Sequence, residues 1–224
     1  MPTAYRIETP RLVLRPLGPA DEARTADAVE TSLEHLRAWL PWAADEPLAR
    51  STRIDKLKQF RANFDLDIDH VYGIFDPLER VQLGAAGLHP RVGPSAVELG
   101  YWIRASHVRQ GFATEAASAL VRVALDVNHA RHVEIRCDPA HHASASLARG
   151  LGFTLDATLR RRDRTPDGRV RDMMVWSLFA DELAQSPAMA VSISVYDGGG
   201  APLSISQRGT QPTIRSMAST TRGQ

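Results

Sequence analysis

The chain has 224 residues, a length that suits one domain or one domain with an appendage. Its formal net charge is +1, so it lacks the basic excess that is typical of a nucleic-acid-binding protein. A single cysteine, Cys137, excludes an internal disulfide and a cysteine-based zinc cluster, and it predicts a reducing, cytoplasmic setting. No apolar run approaches the roughly 18 residues of a membrane helix, and the N-terminus lacks a signal-peptide pattern. We therefore expect neither a nucleic-acid nor a membrane partner.

The first half of the chain alternates between short predicted strands and helices. Arg11–Leu17 alternates apolar and polar residues up to a proline, which predicts a strand, and Asp21 stands where the N-cap of the next helix is expected. The elements predicted after that strand are helices at Asp21–Glu34, Glu34–Leu40 and Pro47–Leu66, and strands at Val71–Phe75, Val81–His89 and Ala96–Ile103.

The second half contains the strongest helix signal, at Thr114–Asn128. Its apolar residues Ala117, Leu120, Val121 and Ala124 recur at helical spacing on one face. The remaining predicted elements are a strand at His132–Cys137, a helix at Ser144–Leu151, and strands at Thr154–Arg161 and Val170–Leu178. This order predicts an α/β protein of the α+β type, with a largely antiparallel first half.

Residues 1–183 are predicted to form one domain, followed by a tail at residues 184–224. The tail is rich in Ser, Thr, Gly, Pro and Gln, so it can bury little apolar area, and we expect most of it to be disordered. Within it, Ala190–Tyr196 alternates and could add a strand.

The most informative segment is the loop that leads from the Ala96–Ile103 strand into the next helix. Helix N-termini present unpaired N–H groups and the positive end of a dipole, which suit a phosphate. Gly111 and the small Ala113 let the backbone approach an oxygen closely. Arg104 and Arg109 add positive charge. A plain strand-to-helix turn is the alternative, because neither a dinucleotide fingerprint nor a P-loop is present.

Five segments, in order and at regular spacing, carry a family resemblance. They are Glu8–Leu17, His35–Trp42 (HLRAWLPW), Val97–Ile103 (VELGYWI), Gly111–Ala116 (GFATEA) and Ile135–Phe153. Together they resemble the RimJ/RimL-like branch of the GNAT acetyltransferases. The resemblance covers about residues 5–180 and leaves the tail unmatched.

The resemblance implies a GNAT fold: a mixed, mostly antiparallel sheet that is splayed at its centre and flanked by helices. Acetyl-CoA, the cosubstrate, would enter the V between the Ala96–Ile103 and His132–Cys137 strands. Its pyrophosphate would lie on backbone N–H groups of Arg109–Thr114. The residues expected to bind it are Trp102, Ile103, Arg104, Arg109, Gln110, Gly111, Phe112, Ala113, Thr114, His141 and Ser144. The second partner would be an amine acceptor, and the family suggests a homodimer.

Two places depart from the family pattern. Val108 stands where the loop usually has Arg or Gln, and Arg109 stands where it often has an additional Gly. In the later Asn-x-x-Ser segment, His141 replaces the Asn while Ser144 matches the Ser. We therefore expect cofactor affinity or acyl preference to differ from the family norm.

The chemistry of acetyl transfer suggests two catalytic side chains. Glu98 lies in a strand where a charge is costly without a partner, and it would act as a base, directly or through water, or orient the acceptor ammonium. Ser144 would donate a proton near the sulfur, and the Ile103 N–H would polarise the thioester carbonyl. The alternatives are a salt-bridged strand residue for Glu98 and a helix N-cap for Ser144.

Aromatic residues would shape the acceptor side. The resemblance places Trp39 and Trp42 in the acceptor wall, with packing between helices and sheet as the alternative, and Tyr101 could also reach the site. The histidine spacings do not suit a metal site, so no metal is expected. Cys137 is expected to be a small apolar strand residue.

Two functions remain open at this point. The first is an acetyl-CoA-dependent N-acetyltransferase, with direct attack in a ternary complex by a protein N-terminal α-amine or a small-molecule amine. The second is a non-catalytic acyl-CoA-binding or regulatory module, which the departures at Val108, Arg109 and His141 keep open.

Overall fold

The computed structural model describes residues 3–165 and 167–205. The strands are β1 (Arg6–Glu8), β2 (Val13–Pro16), β3 (His70–Phe75), β4 (Gln82–His89), β5 (Ala96–Ile103), β6 (His132–Cys137), β7 (Thr154–Arg164), β8 (Val170–Phe179) and β9 (Ser194–Tyr196). The α-helices are α1 (Glu22–Glu30), α2 (Leu33–Arg37), α3 (Arg50–Asp65), α4 (Phe112–Arg122) and α5 (His142–Gly150).

All nine strands belong to one sheet, in the order β7-β8-β6-β5-β4-β3-β2-β1-β9. Neighbouring strands are antiparallel except β5 and β6, which run parallel at the centre. The predicted mixed, mostly antiparallel sheet is therefore confirmed.

The two central strands separate partway along their length. Within the described residues, β5 pairs with β6 only at Ala96–Glu98 and His132–Glu134. Beyond that point β5 stays paired with β4, and β6 stays paired with β8, up to their ends. The inner edges of residues 99–103 and 135–137 therefore line a V that opens toward the C-terminal ends of both strands. This is the splay that the resemblance implies.

Helix α4 covers one face of the sheet and forms the centre of the core. Its residues Ala116, Ala117, Ala119 and Leu120 have no exposed surface, and the small side chains let the helix pack closely on the sheet. One turn of π-helix, Val123–Val127, continues it. The predicted helix at Thr114–Asn128 is thus present, with a change of geometry in its last turn.

The helices α1, α2 and α3 lie on the opposite face, where a buried ion network holds them. Arg53 of α3 is 4% exposed, and its guanidinium donates to Glu22 (3.1 Å) and Glu30 (2.8 Å) of α1. Asp21 precedes α1 as predicted, but it bonds Arg15 and the Gly18 N–H instead of capping the helix. Removing one member of such a buried network leaves a buried charge without a partner. The network therefore fixes the positions of α1 and α3 on the sheet.

Residues that follow the predicted domain boundary at 183/184 pack against the core and extend the sheet. Residues 187–190 form a helical turn in which Ala188 is fully buried and Met189 is 7% exposed. Strand β9 then pairs with β1 and buries Val195, as the alternation at 190–196 suggested. The overall composition of this segment is polar, so it does not reveal that its few apolar residues are buried in the core. The rest of the predicted tail, 206–224, lies outside the described residues.

None of the helices within the described residues has the length and apolar character that crossing a membrane requires.

Candidate functional site

The splayed part of β5 presents free backbone groups to the V. The Arg104 N–H donates to the Leu83 carbonyl on the β4 side. Because N–H directions alternate along a strand, the N–H groups of Ile103 and Tyr101 face the V instead. These are donors that an extended ligand, or a carbonyl that gains negative charge, can use.

The loop before α4 is built to expose its N–H groups. Gly111 precedes the helix with φ +83°, a left-handed conformation that glycine adopts without strain, and Arg109 also has a positive φ of 61°. The Glu115 N–H donates to the Gly111 carbonyl, so the N–H groups of Phe112, Ala113 and Thr114 come before the first helical bond. Gly111 has no side chain to cap them. This cradle fits the pyrophosphate of CoA.

The sequence analysis missed Arg11, which holds this loop in place. Its guanidinium bonds the buried Glu115 carboxylate (2.7 Å) and the Gln110 carbonyl (2.9 Å), and it lies 4.6 Å from the centre of the Phe112 ring. A β-carbon on Gly111 would come within 3.2 Å of this guanidinium. Arg11 lies in the turn between β1 and β2, about 100 residues before the loop in sequence, so no sequence pattern signals the contact.

Two predicted cofactor residues are engaged elsewhere. The Arg104 guanidinium pairs with Asp27 of α1 at 2.6 Å, so its charge is held on the α1 side of the sheet. On that same face, the centre of the Trp102 ring lies 6.1 Å from the centre of the Trp42 ring. The Trp102 backbone faces its partner Ala85 on β4, so Trp102 directs neither its ring nor its N–H at the V, whereas Ile103 directs its N–H there. Arg109 and Gln110 remain exposed in the loop.

A hydrogen bond between two hydroxyls bridges the V on the α4–α5 side. Tyr101 Oη lies 2.9 Å from Ser144 Oγ, and both side chains are largely buried. Burial raises the pKa of Tyr101 to about 12, while the Ser144 hydrogen bond opposes the rise. The pair therefore stays protonated at ordinary pH and can supply a proton.

Ser144 is not the N-cap of α5, which was the alternative explanation for it. The helix begins at His142, and the cap is His141, whose Nδ1 accepts from the Ser144 N–H at 3.4 Å. The Ser144 hydroxyl is thereby left to Tyr101 and to Cys137. Burial raises the pKa of the Cys137 thiol, as expected of an unreactive strand cysteine.

His141 joins the two sides of the site. Its ring stacks on Trp39 with 4.1 Å between ring centres, and burial lowers its pKa. A neutral imidazole thus occupies the position where the family has an asparagine. It links the cofactor end of the V to the wall that carries Trp39.

Glu98 lies at the point where β5 and β6 separate, on the α1–α3 face. Its carboxylate accepts two hydrogen bonds from Arg91, at 2.6 and 2.9 Å, and Arg136 of β6 is 4.0 Å away. The predicted salt-bridged alternative is therefore present in the structure. The Arg91 fork fixes the position of this carboxylate, and a carboxylate suits the orientation of an ammonium group.

A cavity of about 840 Å³ opens on the α1–α3 face and extends to the V. The predicted acceptor residues Trp39 and Trp42 line it together with Glu98, Tyr101 and Ser144. Trp39 and Trp42 are only partly buried, so neither is a pure packing residue. The volume lies in the upper part of the range for ligand sites.

The structure also brings in polar residues that the sequence analysis did not assign to the site. Asp69 immediately precedes β3, His89 ends β4 and Arg91 follows β4, and all three line the same cavity. Their mutual contacts depend on strand register, which no sequence motif reveals. Across the described parts of the chain, no cluster of three or more His, Cys, Asp or Glu residues could hold a metal ion.

The chain was compared with known families. The acetyltransferase (GNAT) domain model matches residues 11–154. Among curated proteins, the chain is 29% identical over 154 residues to an Escherichia coli (strain K12) protein named [ribosomal protein uS5]-alanine N-acetyltransferase. The match covers 66% of this chain and 77% of that relative.

Solved structures agree on the fold. RimL, the ribosomal L7/L12 α-N-protein acetyltransferase in complex with coenzyme A, superposes with a TM-score of 0.70 at 19% identity, covering 76% of this chain and 95% of RimL. The microcin C7 self-immunity acetyltransferase MccE, in complex with acetyl-CoA and AMP, gives 0.69 at 16% identity and covers 76% and 93%.

Proposed function

Because the chain belongs to the GNAT acetyltransferase family, we propose that it acetylates the N-terminal α-amine of a protein substrate. It is an acetyl-CoA-dependent N-acetyltransferase, and the α-amine acceptor is the proposed part. The non-catalytic alternative is not favoured, since the departures at Val108, Arg109 and His141 leave the loop cradle and the Ser144 hydroxyl in place.

The observation that carries the proposal is the cavity of about 840 Å³ that Trp39 and Trp42 line together with Tyr101 and Ser144 of the V. It has room for a peptide end beside the acetyl group. An α-amine has a pKa of about 8 against about 10.4 for lysine, so it gives up its proton more readily near neutral pH. The Escherichia coli relative is named for alanine N-acetylation of a ribosomal protein, which supports the same acceptor class. The proposed setting is the cytoplasm.

The proposed seat of acetyl-CoA uses backbone more than side chains. The N–H groups at Phe112–Thr114 would hold the pyrophosphate, with Arg11 keeping the loop in position. The exposed edge of Tyr101–Ile103 would pair with the pantetheine. When bound, acetyl-CoA supplies an acetyl group that is activated as a thioester.

The proposed roles of the side chains follow from which face each occupies. Glu98, on the cavity face, would orient the acceptor ammonium by charge, with Arg91 fixing the carboxylate. Ser144, hydrogen-bonded to Tyr101 on the opposite face, would pass a proton to the departing sulfur. The Ile103 N–H would stabilise negative charge on the carbonyl oxygen.

The test is CoA release from acetyl-CoA with a peptide that begins with a free alanine. The same peptide with a blocked N-terminus and simple primary amines serve as competing acceptors. We expect turnover only with the free peptide. Preference for a simple amine over the peptide would contradict the proposed acceptor.

Two variants test the roles in the same assay. Glu98→Gln should reduce kcat/KM for the peptide by about 10-fold or more through loss of the oriented charge. Glu134→Gln is the matched control, because Glu134 is the register partner of Glu98 on β6 but does not line the cavity. Equal effects of the two substitutions would remove Glu98 from the site.

A further inference from the structure

His89 and Asp69 form a hydrogen-bonded pair in the wall of the acceptor cavity. His89 is the last residue of β4, and Asp69 immediately precedes β3. The distance from His89 Nδ1 to Asp69 Oδ1 is 2.6 Å. A carboxylate on Nδ1 fixes the proton of a neutral imidazole there, so the lone pair is on Nε2.

Two glycines let the His89 ring lie against the sheet. A β-carbon at Gly87 would come within 2.5 Å of Nε2, and one at Gly100 within 3.4 Å. The imidazole therefore covers the backbone of β4 and β5 at two positions where any side chain larger than that of glycine would crowd the ring. Among the described residues, Nε2 has no hydrogen-bond partner, and His89 lines the cavity.

The ring lies over the part of the sheet where the reaction is proposed to occur. Gly100 belongs to the stretch of β5 that has already left β6. His89 is also the cross-strand partner of Glu98, which orients the ammonium in the proposed function. Of these two neighbours, Glu98 accepts two hydrogen bonds from Arg91, while His89 keeps a free lone pair on Nε2.

We propose that His89 is the general base for the acceptor amine and that Asp69 is a positioning residue that fixes its tautomer. The inference rests on the proposed function and deepens it. His89 Nε2 takes one proton from the acceptor ammonium, directly or through one water, and a neutral amine results. Its nitrogen forms the C–N bond as the C–S bond breaks. After the attack the nitrogen loses a second proton, and the thiolate takes up a proton through the Ser144–Tyr101 pair. His89 then returns its own proton to solvent.

An imidazole suits this step better than the carboxylate beside it. Proton transfer is efficient when donor and acceptor have similar affinities for the proton. The ordinary pKa of an α-amine is much closer to that of an imidazole than to that of a carboxyl group. Asp69, Arg91 and Glu98 are the charged groups that face the ring.

The kinetic test is the pH profile of kcat/KM with the free-alanine peptide. His89→Gln should lower kcat/KM by about 10²–10³-fold at pH 7.5 and remove the acidic limb of the profile, while the Kd for CoA stays unchanged. His70→Gln is the matched control, because His70 also pairs with an aspartate, Asp67, but does not line the cavity. An unaltered limb in His89→Gln, or a rate within about 3-fold of wild type, overturns the proposal.

A second measurement does not depend on turnover. Histidine ¹⁵N NMR of the wild-type protein should show His89 as the Nδ1–H tautomer with a free Nε2, and Asp69→Asn should disturb that state. An Nε2–H tautomer in the wild type overturns the proposal even if the enzyme is active. If the wild type acetylates no peptide, the proposed acceptor fails, and the tautomer still reports separately on His89.

Discussion

The two hydroxyls of Tyr101 and Ser144 meet at 2.9 Å, and we propose that this pair supplies the proton to the sulfur. Their placement depends on the cap of α5. Because His141 occupies the N-cap position, Ser144 has its hydroxyl free for chemistry. With a histidine in place of the family asparagine, the Ser144 hydroxyl thus stays available to Tyr101.

Tyr101→Phe removes the partner of Ser144 without changing the ring. We expect kcat to fall by about 10–100-fold, with Kd for CoA within about 3-fold of wild type, because the proton path weakens while the backbone seat remains. Since the pKa of Tyr101 is about 12, the wild-type rate should show no decline from its ionisation below about pH 11. A full-rate phenylalanine variant would contradict the role of the pair.

His141 makes stability depend on pH. Burial lowers its pKa in the folded state, so on acidification the unfolded chain takes up the proton first. The contribution is complete above about pH 6.5, the ordinary value for histidine, and is lost as the pH falls through the lower folded value. Wild-type Tm should therefore drop more between pH 7.5 and 5.5 than the Tm of His141→Asn, which keeps a capping side chain. Equal drops would contradict this linkage.

At the scale of elements, we propose that the V and the loop before α4 together hold acetyl-CoA. The strand edge supplies a row of backbone groups, and the loop supplies N–H groups at a helix end. Both features come from backbone geometry. On this proposal, the unusual side chains at Val108 and Arg109 would leave the binding of acetyl-CoA in place.

Gly111→Ala tests the loop. The substitution forces an L-residue to φ +83° and brings a β-carbon to 3.2 Å from the Arg11 guanidinium. We expect a loss of about 1 kcal/mol or more in stability, and weaker CoA binding by titration. Gly150→Ala is the control, because Gly150 lies in α5 with nothing within 4 Å of the added carbon, and it should not weaken CoA binding.

The sequence predicted β5 and β6 with their observed bounds, because a strand's pattern is local. The family, and the splay that it implies, also followed from ordered motifs. The Arg91–Glu98 fork, the Asp69–His89 pair and the Trp39–His141 stack did not. Each joins residues that are brought together by strand register or by packing between distant elements, and a single sequence carries no signal for such contacts.

At the scale of the whole molecule, the chain closes its sheet with a strand from beyond the predicted domain. Strand β9 pairs with β1 at the edge, and the segment at 187–190 packs near α4. The fold therefore extends through residues that composition alone assigns to a tail. Their contribution is a few well-placed apolar side chains.

Val195→Asp tests that contribution, because it places a carboxylate at a position that is 2% exposed. We expect a loss of at least about 2 kcal/mol, which is a Tm decrease of about 4 °C or more for a chain of this size. Ser194→Asp, at an exposed position of the same strand, is the control and should leave Tm nearly unchanged. Equal Tm values for the two variants would show that β9 adds no stability.

The central claim is acetyl transfer to a protein's N-terminal α-amine. The most direct measurement incubates the full chain and acetyl-CoA with a peptide that carries both a free N-terminal alanine and an internal lysine, and then locates the acetyl group by fragmentation mass spectrometry. We predict acetyl on the N-terminal residue alone. Acetyl on the lysine side chain, or an unmodified peptide under conditions where the protein binds CoA, would contradict the claim.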